Sequence, residues 1–121
     1  MNSYNVISEN SDVDLSAHLL VKFTATGVDK AGATDVAIGT VLNDTKAGKA
    51  AAVALRKSYG LHDVTLGNNT AVAVGDELDQ YAGGTVIKAA GGKKAGVARQ
   101  AATGTGAIIE AYLYPDAGAG S

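Results

Sequence analysis

The residue types that could support acid–base catalysis or metal binding are few in this chain, and they are scattered. The two histidines, His18 and His62, lie in or beside predicted strands. A catalytic pair would need a nucleophile and a third, orienting group, and no nucleophile-elbow pattern accompanies either histidine. The chain contains no cysteine, which excludes disulfides, thiolate metal sites and cysteine nucleophiles. We interpret both histidines as ordinary surface residues, and we expect no catalytic residue, no metal ligand and no cofactor.

The densest acidic cluster is Gly75-Asp76-Glu77-Leu78-Asp79. Strand alternation would place Glu77 and Asp79 on one face, where two carboxylates could hold a hard cation, but the cluster lacks the spacing of a calcium loop. A turn followed by a solvated strand face is the interpretation we favour. A small β-barrel enzyme or accessory subunit with a cation site near Asp76–Asp79 stays open as an alternative.

Two glycine-rich segments have the composition, but not the pattern, of nucleotide-binding loops. In Gly91-Gly92-Lys93-Lys94 no Ser or Thr follows the lysine, and the next element is a predicted strand, whereas a phosphate loop needs a helix there. Gly104-Thr105-Gly106 lacks the third glycine of a dinucleotide fingerprint. Both segments predict hairpin turns. Lys93 and Lys94, together with Arg99, could form a small basic patch that contacts an acidic protein surface.

Size and charge narrow the class of protein. A chain of 121 residues fits one domain, and a net charge of −2 gives no electrostatic footprint for nucleic acid. No apolar run approaches the roughly 18 residues of a membrane span. Met1–Leu15 has no Lys or Arg and no apolar stretch, so a secretory signal is not expected. We therefore expect neither nucleic-acid nor membrane partners.

The hydrophobic content suggests a thin core. Hydrophobic residues make up 46% of the chain, but many of them are alanine, there is no Trp and only one Phe, and 16 residues are glycine. Because burial stabilises a fold in proportion to the apolar area removed from water, such a core is marginal for a domain of this size. The composition favours a working form that associates with its own copies or a partner. An ordinary small monomeric β domain is equally compatible with it.

The region from Leu61 to Pro115 is a row of short apolar runs separated by glycine turns, which is typical of a small all-β sandwich or barrel. In the last run Ile109, Ala111 and Leu113 share one predicted face. Tyr112 and Tyr114 lie on the opposite face with Ile108 and Glu110. Because tyrosine is favoured at interfaces, these two residues are candidates for a subunit contact, with half-buried strand residues as the alternative.

The N-terminal half predicts further strands. Leu15–Thr24 alternates so that Leu19, Val21 and Phe23 share the core face. Gly27–Ala33 is predicted to be a loop, and Val36–Leu42 a second strand. In Lys49–Tyr59 the alanines favour a helix by propensity. We nevertheless predict a strand over Ala51–Arg56, because Ala51, Val53 and Leu55 also fit one strand face.

The two ends of the chain are predicted to lie outside the β domain of residues 15–115. Residues 1–14 are polar and aperiodic, which predicts an extended N-terminal arm that is mobile in the free protein and orders on a partner. Val6, Ile7 and Val13 are its candidate anchors. Deleting the arm should then leave the domain folded. Residues 116–121 form a predicted flexible tail.

The order of these segments resembles the capsid decoration proteins of tailed bacteriophages, also called structural cement or head-stabilising proteins. The resemblance covers roughly Ala17–Pro115 and consists of glycine and alternation patterns. Its segments are Ala33–Leu42 (ATDVAIGTVL), Gly48 with Ala51–Leu55 (AAVAL), Asp63–Gly67 (DVTLG), Val74–Leu78 (VGDEL), Gly84–Val86 (GTV), Ala95–Ala98 (AGVA) and Gly104–Leu113 (GTGAIIEAYL).

The resemblance implies a compact fold of the β-tulip type and no catalytic residues. It implies a structural protein on the outer surface of the virion, bound to the major capsid protein, commonly as a homotrimer where capsomers meet. Added interface area would then stabilise the head against internal pressure. A tail or fibre module of the same kind of virus is the alternative within this class.

Overall fold

The structure, a computed structural model, describes residues 6–56 and 61–115. This part of the chain is all-β, as expected, and forms a small sandwich of antiparallel sheets. No helix within it is long and apolar enough to cross a membrane. The strands are β1 Val6–Asn10, β2 Leu20–Phe23, β3 Val28–Lys30, β4 Gly39–Val41, β5 Ala50–Leu55, β6 Leu61–Thr65, β7 Ala71–Val72, β8 Glu77–Gln80, β9 Val86–Lys88, β10 Lys94–Ala98, β11 Ala102–Thr103 and β12 Ile108–Leu113, with a 3-10 turn at Ala82–Gly84.

The two large sheets have the same topology. The first has the strand order β1-β5-β4-β2-β3, and the second has the order β6-β12-β10-β8-β9. In each sheet an isolated parallel bridge links the two end strands, Ser11 with Val28 in the first and Leu66 with Val86 in the second. The antiparallel bridge of Leu15 with Thr45 likewise matches the pairing of β7 with β11. The chain therefore folds as two halves of equal topology, the N-half (residues 6–56) and the C-half (residues 61–115).

The match between the halves extends to single backbone contacts. Gly39 pairs with Leu55 in the N-half as Gly96 pairs with Leu113 in the C-half. A Cβ atom at Gly39 would lie 2.0 Å from the carbonyl oxygen of Ala54, and one at Gly96 would lie 2.0 Å from that of Tyr112. Only glycine permits so close a passage of the neighbouring strand. The same close approach of neighbouring strands at a glycine therefore occurs in both halves.

Each half contributes its own core. The N-half core is formed by side chains of its own sheet and of the segment between β1 and β2: Leu15, Leu19, Val21, Val28, Val41, Ala51 and Val53. The C-half core contains side chains of β6, β8, β9, β10 and β12, and it also takes in three residues of the N-half, Leu20, Ala31 and Ala37. The two halves therefore share one apolar contact, and the N-half sheet is covered on both sides there.

The predicted N-terminal arm is wrong for the residues that the structure describes. Val6–Asn10 is strand β1, and it pairs with Ala50–Ala54 of β5. Ser11 is fully buried, and the side chains of Ile7 and Val13 pack against the N-half core. Residues 6–14 thus belong to the domain, and their removal would strip a strand from the sheet. Residues 1–5 and the predicted tail at 116–121 lie outside the described residues.

The predicted faces are right in β12 of the C-half and partly wrong in the N-half. Ile109, Ala111 and Leu113 are at most 1% exposed, and Ala50–Leu55 is a strand, as predicted. Phe23, assigned to the core, is 54% exposed, whereas Leu20, assigned to the outer face, is fully buried. Alternation failed at β2 because the C-half covers the sheet's second face at Leu20. Within the predicted loop Gly27–Ala33, Val28–Lys30 forms strand β3.

Candidate functional site

A buried polar network holds the two halves together. The side chain of Gln80, at the end of β8, donates to the carbonyl oxygens of Gly32 at 3.1 Å and Asp35 at 2.8 Å. The guanidinium of Arg56, which is 3% exposed, donates to the Gln80 side chain at 3.2 Å and to the Ala95 carbonyl at 2.8 Å. Fixed donors and acceptors of this kind define one relative placement of the halves. We call this contact between the halves the junction.

The junction also brings the two histidines to one cleft of about 180 Å³, lined by His18, Thr40, Leu42, Leu61, His62, Asp63 and Glu110. The prediction that both histidines are ordinary surface residues is wrong for His62, which is 4% exposed and has Nδ1 2.7 Å from the Thr40 hydroxyl. Burial, with a smaller contribution from the Arg56 charge, lowers the pKa of His62 to about 4. At neutral pH it is therefore an uncharged hydrogen-bonding residue of the junction.

The acidic cluster 75–79 takes part in contacts within the protein itself. Asp79, only 2% exposed, accepts backbone hydrogen bonds from Ala90 and Gly92 at 2.7 Å each and an ion pair from Lys94 at 3.2 Å. Burial raises the pKa of Asp79, but these hydrogen bonds and the lysine outweigh it, so the net direction is downward. Asp79 and Glu77 therefore do not form one solvated face, and residues 6–56 and 61–115 contain no cluster of three ligating side chains suited to a metal ion.

The predicted basic patch is altered for the same reason. The Lys94 side chain is 12% exposed and is committed to Asp79, so it stabilises the turn between β9 and β10. Lys93 and Arg99 remain at the surface, half-buried and exposed respectively. The structure thus leaves two of the three cations available to a partner.

A row of apolar residues lies on the surface of the C-half. The pairings Leu61 with Tyr112, Tyr112 with Val97 and Val97 with Glu77 align four side chains across β6, β12, β10 and β8. Directly opposed residues on one face of a sheet lie about 5 Å apart. Tyr112 is 45% exposed and Leu61 36% exposed. An aromatic residue flanked by aliphatic ones is the composition expected of a protein contact.

The second predicted tyrosine borders this row. Tyr114 is half-buried and donates its hydroxyl to a Glu77 carboxylate oxygen at 2.9 Å. Burial and this carboxylate raise the pKa of the Tyr114 hydroxyl, so it remains protonated. Tyr114 supports the row by fixing Glu77, whereas Tyr112 presents its own ring to solvent.

The predicted anchors of the N-terminus and one missed residue lie on the N-half. Val6 is 45% exposed, while Ile7 and Val13 are half-buried against the core. Phe23, the one phenylalanine, was missed as a surface residue because its aromatic type and alternation both favour a core position. Leu61 and Val97 were missed because a single apolar residue in a strand does not reveal which face it occupies.

These features define the class of protein as a small two-part β module with an apolar row on its outer surface. No protein-family model matches the chain, and no curated protein matches it. Among solved structures it is similar to the head fiber gp8.5 N base of bacteriophage phi29, with a TM-score of 0.72 and 14% sequence identity, over 94% of this chain and 97% of that one. At this level of identity the similarity concerns the fold.

Proposed function

We propose that this protein is a structural component of a bacteriophage head, attached to the outer surface of the capsid through the major capsid protein. The observation that carries the proposal is the whole-chain similarity of fold to the base of a phage head fiber. The sequence resemblance to capsid decoration proteins consists of glycine and alternation patterns. It points to the same location without use of the fold similarity. Under this proposal the protein acts by contact and not by catalysis.

The chemistry of the surface supports this role. Tyr112, Leu61 and Val97 form an apolar row that no other part of the described chain covers fully. Tyrosine is enriched at protein–protein interfaces, and aliphatic neighbours on both sides give it an apolar surround. The proposal also includes that the protein bridges capsomers as a cement and that it forms a homotrimer. Both of these parts rest on the resemblance to capsid decoration proteins.

A second candidate is the base of a head fibre, in which this module would anchor a protruding segment to the capsid. It is favoured by the similar solved structure, which is the N base of a head fiber. Both candidates place the protein at the same surface. They differ in whether a fibre extends outward from it.

Cryo-electron microscopy of virus particles carrying a tagged copy tests both candidates. The proposal expects the tag on the outside of the head, with low-profile density for cement and an outward spike for a fibre base. A tag found on the tail, or absent from purified particles, would contradict the proposal. Co-sedimentation with purified empty heads gives a second test, in which this protein should bind saturably. An unrelated small β protein is the matched control and should not bind.

A further inference from the structure

Because the two halves have equal topology, each surface of one half has an equivalent surface on the other half. Equivalent positions follow from the pairings: Leu20 pairs with Thr40, and Thr40 with Ala54, as Glu77 pairs with Val97, and Val97 with Tyr112. On the other side of the halves, Ile7 is equivalent to His62, and Phe23 to Gln80. Leu20, Thr40, His62 and Gln80 of the junction therefore have the counterparts Glu77, Val97, Ile7 and Phe23.

The junction joins two different faces. The N-half contributes Leu20 and Thr40 from one face of its sheet, and Ala54, which pairs with Thr40, is fully buried beside them. The C-half contributes His62 and Gln80 from β6 and β8. A contact between unlike faces is heterologous, so it leaves the second copy of each face uncovered.

The uncovered copies carry exposed aromatic residues. In the C-half, Tyr112 stands where the N-half has fully buried Ala54, and it is 45% exposed. In the N-half, Phe23 stands where the C-half has Gln80, which is 2% exposed, and Phe23 is 54% exposed. We call the first surface, Glu77, Val97 and Tyr112, the Tyr112 face, and the second, Ile7 and Phe23, the Phe23 face.

We propose that the Tyr112 face of one molecule binds the Phe23 face of a second copy of this chain, repeating between molecules the contact that the junction makes within one. This inference rests on the self-association included in the proposed function, and it names the surfaces that carry it. It does not depend on attachment to a capsid.

The residue types at the equivalent positions are compatible with this contact. Thr40 and His62 form a hydrogen-bonded polar pair in the junction. Their counterparts Val97 and Ile7 are both aliphatic and both half-buried, so they form an apolar pair when the two faces meet. A mixed pair would leave a buried hydrogen-bonding group without a partner, which is costly.

The contact of Gln80 has a similar counterpart. The Gln80 amide reaches carbonyl oxygens in the loop between β3 and β4. Phe23 would lie against the equivalent loop between β9 and β10, where an aromatic ring needs no hydrogen-bonding partner. Glu77 stands where the junction has the fully buried Leu20, so the two contacts differ at this position, and the Glu77 carboxylate enters the contact hydrogen-bonded to the Tyr114 hydroxyl.

A heterologous contact either closes into a ring or propagates as an open chain. Because every molecule carries one Tyr112 face and one Phe23 face, loss of either face stops growth at that point. A ring of three would agree with the homotrimer of the proposed function.

The test uses analytical ultracentrifugation of the full chain up to millimolar concentration. Tyr112→Glu and Phe23→Glu should each weaken self-association about tenfold or more, because each puts a charge into an apolar contact. Ile108→Glu is the matched control. Ile108 is 53% exposed on the same side of β12 as Tyr112, but its counterpart Ala50 is exposed in the N-half, so the contact should not reach it.

Mixing the two variants gives the sharpest result. The Tyr112→Glu protein keeps its Phe23 face, and the Phe23→Glu protein keeps its Tyr112 face, so the mixture should form complexes of two chains and nothing larger. Thermal unfolding checks that each variant is folded, and Tyr112→Ala and Phe23→Ala replace any that is not. The inference is overturned if the wild type stays a 12.0 kDa monomer, if Ile108→Glu weakens association as much as Tyr112→Glu does, or if the folded variants fail to pair. Self-association without binding to empty heads would instead count against the proposed function alone.

Discussion

The N-half and the C-half have the same strand order but opposite surroundings at equivalent positions. Leu20 and Thr40 of the N-half are buried under the C-half, whereas Glu77 and Val97 lie toward solvent. In the reverse direction, Gln80 is buried and Phe23 is exposed. The residue type at an equivalent position therefore follows what covers it, because the same backbone position holds leucine where it is buried and glutamate where it is exposed to solvent.

The largest expected difference between the halves is at the pair Leu20 and Glu77. Leu20→Glu should destabilise the fold by about 5 kcal/mol or prevent folding, because it buries an unpaired carboxylate in the shared core. Glu77→Leu should change stability by less than about 1 kcal/mol, because the position is exposed. Urea unfolding of both variants measures the difference. Equal losses would show that the two positions are not differently covered.

Equivalent glycines test the opposite expectation, that the halves behave alike. Gly39→Ala and Gly96→Ala should each cost about 4 kcal/mol, because the added methyl group would lie 2.0 Å from a carbonyl oxygen of the neighbouring strand. Gly48→Ala and Gly106→Ala are the controls. Both glycines have positive φ and nothing within 4 Å of the added atom, so each should cost only about 1 kcal/mol. A large difference between Gly39→Ala and Gly96→Ala, measured by thermal unfolding, would break the equivalence.

Arg56 and Tyr114 follow β5 and β12 at equivalent positions, since the backbone of each donates to a matching carbonyl, Ile38 at 2.9 Å and Ala95 at 3.0 Å. Arg56→Ala should cost about 3 kcal/mol, because buried carbonyl oxygens and Gln80 lose a charged donor. Tyr114→Phe removes one partly exposed hydrogen bond and should cost about 1 kcal/mol or less. Denaturant titration of the two variants side by side checks the ratio. A smaller loss for Arg56→Ala than for Tyr114→Phe would contradict the role assigned to the junction.

Acid should weaken the junction through His62. The unfolded chain binds a proton at His62 with a pKa near 6.5, and the folded chain only near 4. Because the pKa is lowered on folding, the stability is complete above pH 6.5 and declines as the pH falls toward 4, by up to about 3 kcal/mol. His62→Gln should remove this dependence, and His18→Gln should leave it in place. A stability profile between pH 7 and pH 4 that is the same in wild type and His62→Gln would contradict the assignment.

The sequence by itself determined the all-β class and most strand positions of the C-half. Glycine turns interrupt apolar runs there at short intervals, and the alternation of Ile109, Ala111 and Leu113 identifies the buried face of β12. Both signals are local, so they survive without knowledge of the rest of the chain. The strand over Ala51–Arg56 was also predictable, because its alternation outweighed the helix propensity of alanine.

Only the tertiary structure decided which surfaces are covered. The local pattern of residues 6–14 resembles a polar arm, yet β1 is held by its pairing with β5 and by the burial of Ser11. His62, Asp79 and Lys94 read as surface residues, but distant segments supply their partners. Leu20 is buried because the C-half packs on the second face of the N-half sheet, whereas Phe23 is exposed because no described part of the chain covers it. Alternation specifies that a strand has two faces, whereas the choice of the face that meets water depends on long-range packing that no local pattern contains.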